Sequence, residues 1–462
     1  MRFNIPLLSF LCFALSAVAG ELYIPDHPRC DKPNFSTYGI KGIPINYNDA
    51  AADRYEKLDI LREIGGDAKI TSARQWLVSE RPKVVEFLQN KQFGKIPPRP
   101  SKLEFKLVES SDDALGATAV RRQYKIISTD TNGTHTFNVL LYYPKNATKD
   151  NPAPVFVYPN FAGNHTASTE PQVLFPEENA WIRNNRVCQV SDNKPHENQR
   201  GRHAFRHPNA EIVARGYAIA TFCYCELYPD IERGDDLMLE KSVYRIFNAK
   251  AIDATPMSIP AWAYGNSRVL DLLETLPFID ASRAGVVGHS RLGKTALYTA
   301  VCDARFAMAV SNCSGAGGAS MALHDYGENF KFAARYFPRW FKPAMVEYGD
   351  NLQTLPVDAQ HFIASIAPRL VYVLSGTKDY WADPKGEFLS VLEASKIYAF
   401  FGAKKLPKMD DLRIKTPFVG DGLGYALYDG PHGIDAYNWN CILDFADANG
   451  WSKTAPKTPP KK

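Results

Sequence analysis

Ser290 and His432 are the two residues of this chain whose types and surroundings most directly imply chemistry. A serine hydroxyl attacks a carbonyl when an imidazole takes its proton, and the imidazole does this well when a carboxylate orients it. Ser290 lies in Gly288-His-Ser-Arg-Leu-Gly293, between the apolar run 284–287 and residues 291–302, which have the composition of a helix. A strand, a tight turn and a helix in that order lift the hydroxyl above the end of a sheet, with the helix N-terminus directed at it. Gly288 lets such a turn close without a Cβ clash, and Gly293 lets the helix approach neighbouring backbone. The G-x-S-x-x-G spacing is one residue longer than the common G-x-S-x-G, so the reading rests on the strand–turn–helix context. An ordinary Gly/Ser turn is the alternative.

In an α/β-hydrolase the serine is followed along the chain by the acid and then by the histidine. His432, in Leu427-Tyr-Asp-Gly-Pro-His-Gly433, is the only histidine after His361, which makes it the expected base. The acid is expected beyond the apolar run 370–374, in Ser375-Gly-Thr-Lys-Asp-Tyr-Trp-Ala-Asp383. Asp379, at the loop tip above the strand end, is preferred. Asp383 is the competitor, but with Pro384 behind it Asp383 reads as a helix cap. The oxyanion needs donors where negative charge develops, expected from the backbone N–H of Arg291 and from the loop 160–165. Arg291 and Lys294 both fall in the first turn of the elbow helix, where an exposed cation is disfavoured by about 0.3–1 kcal/mol. Two cations there suit an anionic or oxygen-rich ligand, unless both are simply solvated.

These residues need a scaffold. Apolar runs at 155–158, 217–223, 284–287, 307–311, 370–374 and 423–427 alternate with helical stretches, which predicts a mostly parallel sheet covered on both faces. The fold class is therefore α/β: an α/β-hydrolase fold, a three-layer sandwich with insertions at the strand C-terminal ends. Ahead of it, β-rich runs at 119–128 and 136–143 flank Thr-Asp-Thr-Asn-Gly-Thr, a hairpin signal. The polar stretch 166–207 and the charged stretch 228–254 follow strand ends and are expected to form the rim of the site.

Residues 1–19 read as a secretory signal: Arg2, an apolar core over 6–15, then Ala17-Val-Ala19. The chain is accordingly expected to be secreted or periplasmic. Residues 20–100 read as a wrapping segment, helical around 74–89, residues 101–450 as the catalytic domain and 451–462 as a Pro/Lys-rich tail. A net charge of +4, from 54 basic and 50 acidic residues, gives no reason to expect nucleic acid. No apolar run beyond the leader approaches bilayer length, so no membrane partner is expected. Of eight cysteines, Cys12 lies in the leader, leaving an odd seven. Cys223 and Cys225 read as packed residues on one side of a strand, and no Cys/His spacing resembles a zinc site. No metal or organic cofactor is expected. Sequons occur at Asn34, Asn132, Asn146, Asn164 and Asn312.

Beyond these local readings, Gly288-His-Ser-Arg-Leu-Gly-Lys-Thr-Ala296 resembles the elbow of the bacterial glucuronoyl esterases, carbohydrate esterase family 15. The resemblance continues in order through Asn160-Phe-Ala-Gly-Asn-His-Thr166, Ala261-Trp-Ala-Tyr-Gly265, Ser311-Asn-Cys-Ser-Gly-Ala-Gly-Gly-Ala319, Gly327-Glu328 and Trp381-Ala-Asp-Pro-Lys-Gly-Glu-Phe388. It implies a serine esterase acting on esters between (4-O-methyl-)glucuronic acid of xylan and lignin alcohols, working as a monomer. Ser290 would be the nucleophile, His432 the base and Arg291 an oxyanion stabiliser, while Lys294, Glu328 and Trp381 match positions that contact the sugar. One departure stands out: many members carry a catalytic Glu where this chain has Cys313, which makes Asp379 the expected acid. Other readings are a different carbohydrate esterase, for acetyl or feruloyl groups, and a catalytically impaired carbohydrate-binding homologue.

Overall fold

Among the described residues the strands join into one ten-stranded sheet. In sequence they are β1 (Lys102–Asp113), β2 (Ala119–Asp130), β3 (Gly133–Pro144), β4 (Ala153–Val157), β5 (Ala218–Phe222), β6 (Ile279–His289), β7 (Met308–Asn312), β8 (Leu370–Gly376), β9 (Phe418–Val419) and β10 (Leu423–Tyr428). Their order across the sheet is β1-β2-β3-β5-β4-β6-β7-β8-β10-β9. The run β5-β4-β6-β7-β8-β10 is parallel, and β1, β2, β3 and β9 are antiparallel to their neighbours. The computed structural model describes residues 21, 23 and 42–451, apart from 179 and 232–236. The expected leader, the sequon Asn34 and nearly all of the expected tail lie outside these residues.

The central strands read as continuous apolar runs because each is buried on two faces. Val155 and Val157 join one apolar layer with helices α1 (Ser258–Leu273), α2 (Arg291–Cys302) and α3 (Pro384–Phe400), through side chains such as Trp262, Leu292 and Phe388. Phe156, between those valines, points into the opposite layer with Trp439 and Phe445 of helix α4 (Ala436–Ala448). This is the α/β-hydrolase architecture that the alternation predicts.

Two strands are absent from the sequence reading, β1 and the two-residue β9. In β1 the period-2 pattern of Leu103, Phe105 and Leu107 breaks at 106–108, three exposed residues at the register shift between Leu107 and Glu109, and β9 is too short to show a period. The segment before it packs against the main core: Trp76 is fully buried and donates through Nε1 to the Ala364 carbonyl at 3.2 Å. Neither cysteine is on the strand: Cys223 lies just past β5 in an isolated bridge to Asn160, and Cys225 in the single 3-10 turn Tyr224–Glu226; both are buried. Asn164 and Asn312, at 2% and 0% exposure, are inaccessible as glycan acceptors.

Candidate active site

Ser290 sits where β6 gives way to α2, at φ 59° and ψ −129°, a conformation an L-residue adopts only when its surroundings impose it. Gly288 is required because a Cβ there would run into the carbonyl of Leu292. The Ser290 N–H donates to the Asn312 carbonyl at 2.8 Å, tying the turn to the end of β7. A Cβ on Gly293 would lie 2.9 Å from that of Ser314, so α2 can approach the segment after β7 only with glycine there.

The loops after β8 and β10 bring the acid and the base together. His432 Nδ1 lies 2.6 Å from Asp379 Oδ2. A carboxylate only accepts, so Nδ1 carries the hydrogen and Nε2 is left as the nitrogen able to receive a proton. Asp379 is buried, and the backbone around it is stitched to the histidine loop: Thr377 N–H donates to the Tyr428 carbonyl and Lys378 N–H to the Gly430 carbonyl, each at 2.9 Å. The Tyr428 hydroxyl lies within 2.9 Å of the Pro431 carbonyl and 2.8 Å of the Gly433 carbonyl, so the turn carrying His432 is held on both sides. Ser290, Asp379 and His432 all line one cavity of about 350 Å³. Beside them, the His289 ring lies 4.5 Å from that of His432 between centroids, tilted by 43°, and burial, then His432, holds its pKa well below the usual value.

Asp383 has a different task. In left-handed conformation it caps α3, accepting from Gly386 N–H at 2.9 Å, and it pairs with His324 Nδ1 at 2.9 Å.

Arg291 and Lys294 line the cavity, and neither is a solvated surface cation. Arg291 is ion-paired with Asp230, and its guanidinium lies 4.8 Å from the ring centroid of Trp340. Asp230 is fully buried and also accepts from Tyr224 Oη at 2.6 Å and from Trp340 Nε1 at 2.9 Å, with Arg183 at 3.3 Å. Burial alone would raise its pKa, but Arg291 and then Arg183 reverse this and hold it below the usual carboxylate range. Lys294 Nζ donates to Glu328 at 3.0 Å and to the Ser314 carbonyl. The unfavourable position of two cations at the start of α2 is thus offset by two buried anions from distant loops.

Glu328 and Trp381, the other two residues matched to sugar contacts, line the same cavity. They come as a unit, because Glu328 N–H donates to the Trp381 carbonyl at 2.7 Å and Gly327, at φ 64°, leaves no room for a Cβ against the 380–381 backbone. Among the described residues that line the cavity, none comes from 166–207 or 228–254, contrary to the expected rim. Those stretches reach the site from behind, through Arg183 and Asp230, while Phe337, Trp340 and Trp381 supply its aromatic wall. The loop 160–165, expected near the oxyanion, places Phe161 5.9 Å from the Arg291 guanidinium.

Two further residues were not readable as part of the site. Asp230 gave no local signal beyond being an acid in a charged stretch, although two buried cations on α2 require anions somewhere. Glu387, fully buried on α3, accepts from the N–H groups of Ser314 at 2.7 Å and Gly315 at 3.0 Å and from the Ser375 hydroxyl at 2.5 Å. It therefore fastens together the ends of β7 and β8, which carry Cys313 and Asp379, and burial raises its pKa to about 8.

Comparison with known proteins fits this geometry. A protein named Carbohydrate esterase MZ0003, from an unknown prokaryotic organism, is 34% identical over 408 residues, 87% of this chain and 91% of the relative. The chain belongs to carbohydrate esterase family 15, the glucuronoyl esterases. It is a carboxylic ester hydrolase of the α/β-hydrolase fold. The family model described as glucuronyl esterase, fungi, matches residues 209–402, from just before β5 to α3. Among solved structures, a glucuronoyl esterase from Solibacter usitatus is 33% identical, covers 87% of this chain and 100% of its own, and superposes with a TM-score of 0.78. A promiscuous CE15 esterase from a marine bacterial metagenome is 33% identical, covers 88% and 100%, and gives a TM-score of 0.77.

Proposed function

We propose that this family 15 esterase hydrolyses the ester between (4-O-methyl-)glucuronic acid of xylan and a lignin alcohol. The observation that carries the reading is the shared cavity, in which the strained Ser290, the His432–Asp379 pair, two cations and the Glu328–Trp381 unit face the same space. His432 Nε2 takes the Ser290 proton as Oγ attacks the uronate carbonyl carbon. Negative charge then collects on the carbonyl oxygen, where the Arg291 side chain and the backbone N–H after the serine stabilise it. The imidazolium, steadied by Asp379, gives its proton to the departing alcohol oxygen, and the glucuronoyl group stays on Ser290. Water, deprotonated by His432, attacks that ester, and the glucuronate carboxylate and the serine hydroxyl are regenerated. Lys294, Glu328 and Trp381 hold the sugar during both halves, the first two by hydrogen bonds to hydroxyls.

The test is the rate on methyl glucuronate for the parent and Ser290→Ala: the variant should lose nearly all activity, and an unchanged rate would refute the assignment. Because one relative is described as promiscuous, galacturonate, acetyl and feruloyl esters belong in the same panel. A preference for any of them over glucuronate would overturn the substrate class. The reading includes action as a monomer outside the cytoplasm, supported by the leader-like residues 1–19 and tested by cell fractionation and by size-exclusion chromatography.

A further inference from the structure

Cys313, Asp379 and His432 come from three loops, after β7, β8 and β10, and converge beside the cavity. One ligand atom of each lies within 4.8 Å of the others. Cys313 is held at φ 48°, with Sγ 3.0 Å from the Tyr428 hydroxyl, and its backbone N–H donates to the Leu374 carbonyl at 2.8 Å. All three residues line the cavity that Ser290 also faces. A sulfur, an imidazole nitrogen and a carboxylate oxygen, with a fourth position open to a cavity, form a donor set suited to Zn2+ and related borderline divalent ions.

We infer that this triad is an inhibitory site for a single thiophilic divalent cation, to which Cys313 contributes the thiolate. The ion is not a cofactor of the ester hydrolysis. The exchange balances: the ion bonds to Sγ, Asp379 Oδ and His432 Nδ1, the thiol proton leaves to solvent, and the Nδ1 proton passes to Nε2. An imidazole protonated on Nε2 cannot accept the Ser290 proton, and Asp379 no longer orients it. Ester hydrolysis therefore stops, and removal of the ion restores it. His432, at 39% side-chain exposure, has the freedom to open the short 2.6 Å contact with Asp379 and admit the ion.

The experiment titrates the purified chain with Co2+, whose bond to thiolate gives a near-ultraviolet charge-transfer band and, in four-coordination, visible bands. One Co2+ per chain should develop both sets of bands, and Cys313→Ala should develop neither. No thiolate band in the parent, or the same band in the variant, overturns the proposal. This readout needs no turnover, so it fails or succeeds independently of the proposed esterase reading. In a second arm Zn2+ should inhibit ester hydrolysis, chelator should reverse the inhibition, and Cys313→Ala should raise the half-inhibiting concentration by about tenfold or more. An unshifted value would place inhibition elsewhere and overturn the proposal. If the alanine variant does not fold, Cys313→Ser takes its place, since a hydroxyl fills the site but binds these ions weakly.

Discussion

Asp230, fully buried behind the cavity wall, pairs with Arg291, which lines the cavity, and so joins the loop after β5 to the first residue of the elbow helix. The same carboxylate accepts from Trp340 Nε1 at 2.9 Å, so one anion fixes both the guanidinium and the indole lying on it. A guanidinium that is clamped before the substrate arrives needs little reorganisation when the oxyanion forms, which is where such a group is most effective.

Asp230→Asn should therefore lower kcat on methyl glucuronate by about 10²–10³-fold, the scale of one lost oxyanion donor, with a smaller change in KM. The variant should also be less stable, because removing one charge of a buried pair costs about 3–5 kcal/mol. Trp340→Phe separates the two effects: it keeps the ion pair and removes only the indole donor. If Asp230→Asn raises KM alone, the carboxylate is not positioning Arg291 for the transition state.

Asp379 and Asp383 lie on one loop yet meet different histidines, and their amide variants should behave oppositely. Asp379→Asn should reduce kcat by about 10⁴-fold, because an amide cannot hold the correct tautomer of His432 or support its charge. Asp383→Asn should leave kcat within a few-fold and lower the thermal midpoint instead, through a weakened α3 cap and a lost His324 partner. Steady-state kinetics and thermal melts on both proteins decide. Loss of activity in Asp383→Asn alone would reverse the assignment of the acid.

The elbow was legible because its constraints are local: a glycine that must avoid the Leu292 carbonyl and another that must pass the segment after β7 are both visible as residue types. The parallel strands were legible because burial on both faces leaves them mostly apolar. Of the cavity walls, Glu328 and Trp381 were legible only through the family resemblance, and Lys294 also by its place in the first turn of the elbow helix. The ion pairs were not legible at all, since Lys294 meets Glu328 and Arg291 meets Asp230 only once the sheet has brought separate loops together. The rim assigned to the long polar insertions followed from their composition and their place after strand ends, neither of which says which way an insertion folds. The aromatic side chains that actually line the cavity lie in 337–381, where sequence gives no periodicity to separate a wall residue from a core residue. The Asp379 and His432 pair was expected from chain order, but that the Cys313 thiol lies beside both is fixed only by the meeting of three strand ends.

His324 lies between Asp383 and Asp49, with Lys385 bridging to Asp49 and Asp53 close by, so it joins the N-terminal segment to the loop of the catalytic acid. Burial alone would lower its pKa, but Asp383 and then Asp49 outweigh it and raise it to about 9 from an ordinary 6.5. The folded chain thus keeps this proton where the unfolded chain has released it. Its stabilising contribution is fully present below about pH 6.5 and is lost as pH rises towards 9. The thermal midpoint should fall over that window, and His324→Asn should flatten the fall while lowering stability at pH 6. An equal slope in both proteins would assign the dependence to another group.

Tyr428→Phe tests whether the histidine loop must be fixed for catalysis. The hydroxyl lies within hydrogen-bonding distance of the Pro431 and Gly433 carbonyls, accepts from the Gly433 N–H at 3.2 Å, and is 3.0 Å from Cys313 Sγ. Removing it leaves the ring packed in place but frees the backbone on both sides of His432. The lost hydrogen bonds are worth about 1–3 kcal/mol together. The kinetic effect should be larger than that stability loss suggests, because proton transfer between Ser290 and His432 demands alignment that a loosened turn no longer guarantees. Expected is a fall in kcat of about tenfold or more with KM nearly constant, since the residues matched to the sugar lie on other loops. Labelling of Ser290 by a fluorophosphonate should slow in parallel, as it needs the same base. A variant with parental kcat and labelling rate would show that the loop is held by the 377–378 backbone contacts alone.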